Sequence, residues 1–238
     1  MCADCNTAVT ILFTELSSQG RLVQVLLVPL VLVALHVQPG ESATLESNDV
    51  YRTCTDSPAS CTTLALQENS LTGSLPTELG TLTALTDLNL QENSLTGSLP
   101  TELGALTASS LLLINQNSLT GSLPTELGAL TALRQISIYT NSLTGSLPTE
   151  LGALTALKRW RLGSNRLTGS LPTELGALLP NLRYLYMGWN SLTGSVPTQL
   201  GAATKLIECV GPVGVRVAGR SVACVWCGHG RGGSCASD

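Results

Sequence analysis

The stretch NSLTGSLPTELG returns down the middle of this 238-residue chain, starting at Asn69, Asn93, Asn117 and Asn141. Variants start at Asn165 (NRLTGSLPTELG) and Asn190 (NSLTGSVPTQLG). The spacing is 24 residues four times and then 25, one residue being inserted near Leu179-Pro180. A fixed period of this size predicts stacked units rather than a globular domain around a catalytic cleft. No single unit can bury its own apolar face, so each must lean on its neighbours.

Around each asparagine the pattern reads LxxLxLxxNxLxGxLPxxLGxL. Leu85, Leu88 and Leu90 precede Asn93, and Leu95, Leu99, Leu103 and Leu106 follow it. This resembles the leucine-rich repeat family, in its plant-type subclass with the LxGxIP segment. The resemblance runs from about Thr62 to Lys205 in six copies. It implies an α/β repeat solenoid, a right-handed superhelix of six to seven coils. Its xLxL segments would form a parallel sheet on the concave face, with 3-10 or irregular structure on the convex side. It also implies a ladder of inward-turned asparagines, Asn69, Asn93, Asn117, Asn141, Asn165 and Asn190, bonded to backbone groups of adjacent coils. Physics supports that role, because a buried amide must find partners. Gly73 and its equivalents suit turn conformations that other residues avoid. Pro76 and its equivalents remove a backbone donor where the chain turns. At about 4.8 Å per coil, six repeats extend roughly 30 Å.

The chain divides into a leader at 1–40, an N-terminal cap at 41–61, the repeats at 62–208 and a Cys/Gly-rich cap or tail at 209–238. Leu22–Val37 is sixteen residues without a full charge, preceded by Arg21. That suits the apolar core of a secretory signal and is short for a membrane span of about 20 residues. An uncleaved signal-anchor, tethering the chain through 22–37, stays open beside it. Either places the repeats outside the cytosol or on the cell surface.

Cysteine usage agrees. Cys2, Cys5, Cys54, Cys61, Cys209, Cys224, Cys227 and Cys235 flank the repeats and never enter them. Terminal coils need caps, and an oxidising compartment lets disulfides staple them. Cys54 and Cys61 resemble the N-terminal cap pair of extracellular repeat proteins. Cys209 takes the strand position of a seventh, decayed coil, and the repeat is lost from Val210. Cys209, Cys224, Cys227 and Cys235 are candidates for further disulfides. Cys224-Val-Trp-Cys227-Gly-His229 has zinc-binding residue types, but the spacing is poor and the compartment oxidising, so no metal is expected.

Enzyme signatures are missing: no phosphate loop, no kinase motif set, no G-x-S-x-G turn. Beyond the leader a single histidine remains, too little for a nucleophilic triad. The chain is therefore expected not to be an enzyme and to carry no cofactor. The recurring Glu78, Glu102, Glu126, Glu150 and Glu174 read as a solvated convex edge. The net charge of −4 hides an asymmetry: Glu41–Leu133 holds ten acids and one base, Arg134–Arg231 ten bases and three acids. Such a field steers a partner and sets its orientation.

The varied positions are those flanking the strand leucines, and TGSLPTELG is identical in five coils. Strand side chains alternate, so the varied positions face off the concave sheet. In order they are Thr63, Ala65, Gln67 and Glu68; Asp87, Asn89, Gln91 and Glu92; Leu111, Leu113, Asn115 and Gln116. Then come Gln135, Ser137, Tyr139 and Thr140; Arg159, Arg161, Gly163 and Ser164; Tyr184, Tyr186, Gly188 and Trp189. Tyr139, Arg159, Arg161, Tyr184, Tyr186 and Trp189 are of the types that dominate binding hot spots. Trp160 replaces a strand leucine and belongs to the core. The expected function is recognition of a macromolecule, a protein or a peptide or carbohydrate ligand and not nucleic acid, through the concave face. Two other readings stay open. One is inhibition of a secreted polysaccharide hydrolase. The other is a repetitive surface array such as ice binding, built on Thr72, Thr96, Thr120, Thr144, Thr168 and Thr193.

Overall fold

The computed structural model describes residues 43–178, 180–193, 205, 208–211 and 224–226. The leader, with Cys2 and Cys5, lies outside them, as do Cys227, His229 and Cys235. No helix among the described residues is long and apolar enough to cross a membrane.

Among the described residues one helix, α1 (Asp49–Asp56), precedes the repeats. Asn48 caps it, its Oδ1 accepting from the N–H groups of Val50 at 3.0 Å and Tyr51 at 3.2 Å. That satisfies two of the donors a helix start leaves orphaned. Cys54 at its end is joined to Cys61 by a disulfide. Leu45, Tyr51, Cys54 and Cys61 are buried, and the helix packs on the first coil. The Tyr51 hydroxyl has no hydrogen-bond partner among the described residues. Burial, then the carboxylates of Glu78 and Glu46, push its pKa up to about 12.

Each of the six repeats then gives three residues to a strand of the main sheet, and some add a second short strand. The strands are β1 (Thr63–Ala65), β2 (Thr72–Ser74), β3 (Asp87–Asn89), β4 (Ser94–Thr96), β5 (Leu111–Leu113), β6 (Gln135–Ser137) and β7 (Arg159–Arg161). β8 (Thr168–Gly169), β9 (Tyr184–Tyr186), β10 (Ser191–Leu192), β11 (Glu208–Gly211) and β12 (Cys224–Trp226) follow. The main sheet is parallel, in the order β1-β3-β5-β6-β7-β9-β11-β12. Register is exact in the period: Leu64 pairs Leu88, Leu88 pairs Leu112, Leu112 pairs Ile136, Ile136 pairs Trp160 and Trp160 pairs Leu185. All six are buried, so each coil's strand leucine, or its substitute, is covered by the same position one coil away.

The asparagine column runs just behind the sheet. Asn93 Oδ1 accepts from the N–H groups of Asn69 and Leu71, at 3.0 and 2.9 Å, and its Nδ2 donates to the Leu66 and Leu90 carbonyls at 2.8 and 3.0 Å. Asn117 and Asn141 repeat this with Leu95 and Leu119 as donors. Asn165 and Asn190, both buried, do so with Leu143 and Leu167 as donors. Each of these five amides thus ties its own coil to the one before, whereas the side chain of Asn69, in the first coil, bonds only the Gln67 carbonyl of its own coil among the described residues. The partners are backbone groups, not the next asparagine's side chain. Ser109 stands where other coils place a leucine; buried, its hydroxyl donates to the Leu85 carbonyl at 2.9 Å.

The far side is built from five 3-10 turns beginning at Thr77, Thr101, Thr125, Thr149 and Thr173. Their glutamates are exposed. A proline precedes each of the five, and its carbonyl accepts from the leucine three residues on. The sequence's Leu-Gly pair has a reason that periodicity did not show. A Cβ on Gly128 would lie 2.5 Å from the Glu150 carbonyl oxygen of the next coil. Gly128→Ala should therefore force these coils apart and cost about 1–3 kcal/mol. Urea unfolding followed by circular dichroism checks it, with the exposed neighbour change Ala129→Ser expected within about 0.5 kcal/mol of wild type.

Cys209 pairs Leu185, as a seventh coil's strand position requires, and main-chain pairing goes on past the leucine pattern: Cys224 pairs Cys209 in a further parallel strand. Parallel pairing needs only extended backbone, so it outlasts the leucine pattern that announced it.

Candidate recognition surface

The varied residues converge on the face of the main sheet. Arg159 pairs in register with Tyr184, and Arg161 with Tyr186. The Arg159 guanidinium carbon lies 5.4 Å from the Tyr184 ring centroid and that of Arg161 lies 5.5 Å from Tyr186. Both are within cation–π range. Arg159 also donates to Gln135 Oε1 at 3.3 Å. Tyr139 lies further along, its hydroxyl donating to Gln116 Oε1 at 3.0 Å. Stacking fixes the guanidinium planes without using all their N–H donors, so donor edges remain for an incoming acceptor.

Trp189 is the one large hydrophobic residue exposed among the described residues, at 51%. It does not sit on a strand. It occupies a left-handed position, φ 53°, which recurs in every coil at Glu68, Glu92, Gln116, Thr140 and Ser164. Such a conformation is costly for a bulky side chain. Each of these residues follows the strand by three positions, so the residues expected as strand continuations turn out instead to line its border. There the backbone must swing round to deliver the asparagine inward.

Three expectations about exposure fail. Ser137 is buried because Leu113 and Arg161, longer and in register on both sides, close over it. Asn115 is buried beneath Gln116, which accepts from its Nδ2 at 3.2 Å and also holds Tyr139. Gly188 is buried too, having no side chain to emerge. Trp160 is 1% exposed. The sequence reading missed the column just before each strand: Thr62, Thr86 and Ser110 give way to Arg134, Lys158 and Arg183, all three exposed. The 24-residue register of the sequence contains this signal; the strand alternation rule alone does not.

The Leucine Rich Repeat family model matches residues 84–106 and 181–203. No curated protein sequence matches the chain. Among solved structures it is similar to the Arabidopsis receptor kinase HAESA in complex with the peptide hormone IDA and the co-receptor SERK1. There the identity is 33% and the TM-score 0.63, over 67% of this chain and 26% of that one. It is similar to the plant peptide hormone receptor RGFR1 in complex with RGF2, at 34% identity and TM-score 0.59, over 60% of this chain and 23% of that one. A plant ice-binding protein matches at 32% identity and TM-score 0.56, over 62% of this chain and 48% of that one. The chain thus spans about a quarter of the receptor structures and about half of the ice-binding protein.

Proposed function

We infer that this chain, a leucine-rich repeat protein of the plant type, is an extracellular or surface-held recognition module that binds a protein or peptide across its main sheet. Trp189 carries the reading. It is the one large hydrophobic residue exposed among the described residues, at 51%, and a partner that covered its indole would take apolar surface out of water. Beside it stand two arginines stacked on two tyrosines, and Tyr, Trp and Arg are the side chains that anchor interfaces. Of the receptors it resembles, one is a peptide hormone receptor and another is seen with a peptide hormone and a co-receptor. The disulfide in the N-terminal cap supports an oxidising location.

The test compares three immobilised chains: wild type, Tyr186→Ala/Trp189→Ala, and the far-side control Glu126→Ala. Partners retained by wild type and by the control should be lost from the double variant. Each aromatic removed should cost about 2 kcal/mol of binding free energy, measured by titration with the recovered partner. Equal retention by all three, with the fold intact, defeats the reading.

A second reading has its own observation. Backbone bonds join the segments around Thr72, Thr96, Thr120, Thr144, Thr168 and Thr193 in a second ladder, with Thr120 N–H on the Gly97 carbonyl and Thr144 N–H on the Gly121 carbonyl, both 2.8 Å. From Thr96 onward these threonines are exposed, so their hydroxyls form a column of regular pitch. One structural neighbour is a plant ice-binding protein. If this column binds ice, the full chain should show thermal hysteresis that Thr120→Lys/Thr144→Lys removes; a flat freezing and melting curve ends this reading.

A further inference from the structure

The recognition surface carries two charge clusters of opposite sign that do not meet. Glu68 and Glu92 are exposed on the far border of the first two strands, and Asp87 stands half-buried on β3. Arg134, Lys158 and Arg183 are exposed on the near border of the fourth, fifth and sixth repeat strands, with Arg159 and Arg161 on β7. Between them the third coil offers only Leu111, Leu113, Asn115 and Gln116. Among the described residues none of these charges forms an ion pair with the opposite cluster. Asp87 accepts from Thr86 and Ser110, and Arg159 donates to Gln135. A folded surface ordinarily intersperses its signs; this one separates them diagonally across a single face.

From Asp87 to Arg159 is three strand spacings, about 14 Å. From Glu92 to Lys158 the diagonal is longer, roughly 20–25 Å, about seven residues of extended chain. An object that satisfies both ends must be narrow, extended and of the opposite polarity. Taking the recognition reading above as its basis, we propose that the occupant of this face is an extended peptide segment with a cationic end over Glu68, Asp87 and Glu92, an acidic end over Arg134, Lys158 and Arg183, and an uncharged stretch between. Complementary fields of this kind set orientation and discriminate against wrongly charged partners more than they add raw affinity.

The test uses the full chain and three fluorescein-labelled synthetic peptides of one length. One has two lysines, a spacer of about five serine and glycine residues, and two glutamates. The others carry lysines at both ends or glutamates at both ends. At low salt the mixed peptide should bind about tenfold more tightly than either of the others, and the advantage should shrink as salt screens it. Reversing one cluster should redirect the preference. Glu68→Lys/Glu92→Lys should favour the all-acidic peptide, and Arg134→Glu/Lys158→Glu the all-basic one. All four positions are exposed, so the variants should remain folded, which circular dichroism confirms. Indifference to either reversal, or no binding of any peptide, overturns the proposal. So does a salt-sensitive dimer of the full chain that the reversals abolish, since the face would then hold a second copy. The two inferences fail separately. A natural partner lost with Tyr186→Ala/Trp189→Ala but unmoved by the reversals leaves the site standing and removes its polarity.

Discussion

Asn165→Leu should destabilise the protein by about 3–5 kcal/mol and split its unfolding into two steps. The substituted side chain fits the space but bonds nothing. Asn165 is 8% exposed. Its Oδ1 is the acceptor for the Leu143 N–H at 3.1 Å, and its Nδ2 donates to Ile138 and Leu162 at 3.0 Å each and to Gly163 at 3.3 Å. Leucine leaves the Leu143 donor buried and unpaired, at about 1–3 kcal/mol for that group alone, and the carbonyls lose donors as well. In a solenoid each coil is held only by its neighbours, so the damage falls on one junction and the two halves should melt apart. Denaturation by circular dichroism reads the total, and hydrogen exchange should show lost protection at Leu143. The same change at Asn69 should cost about 1 kcal/mol or less, because its amide makes one bond, to the Gln67 carbonyl. Equal costs at the two positions would mean that solvent replaces the ladder.

Trp160→Ala should cost a similar amount, about 3–5 kcal/mol. The indole stands at 1% exposure in a column that other coils fill with leucine or isoleucine, between Ile136 and Leu185 in register. Truncation opens a cavity that strands pinned on both sides cannot close. Trp160→Leu restores the residue of the repeat and should recover roughly half of the loss, since some of the cavity remains. Arg159 and Arg161 flank the site on the same three-residue strand, so the alanine variant should also loosen their stacking on Tyr184 and Tyr186. A melting temperature unchanged by Trp160→Ala would mean that the neighbours collapse into the space.

The 24-residue period made most of this architecture legible before any coordinates. Strand positions, their register and the buried leucine columns all follow from it, because identical sequences stacked at one spacing have few other ways to hide their apolar groups. What it could not give depends on the residue next door. Ser137 looks exposed by alternation, yet Leu113 and Arg161 cover it. Gly128 looks like turn punctuation, yet the neighbouring Glu150 carbonyl is what demands it. The left-handed backbone at Glu68 through Trp189 left no sequence mark, because its six positions hold five different residue types. The border bases Arg134, Lys158 and Arg183 were visible in the register but lie outside the alternating strand positions.

The glycine contacts reach further than stability. A Cβ on Gly104, Gly128 or Gly152 would meet the carbonyl oxygen of the following coil's glutamate at 2.6, 2.5 and 2.6 Å. Three junctions that agree this closely are interchangeable parts. A whole coil can be duplicated or deleted between them without any new surface having to be fitted. Each such event would shift the basic end of the sheet from its acidic end by one strand spacing, about 4.8 Å, leaving both ends chemically untouched. The distance between the two clusters is then a quantity set by counting coils, adjustable in whole steps without altering either cluster.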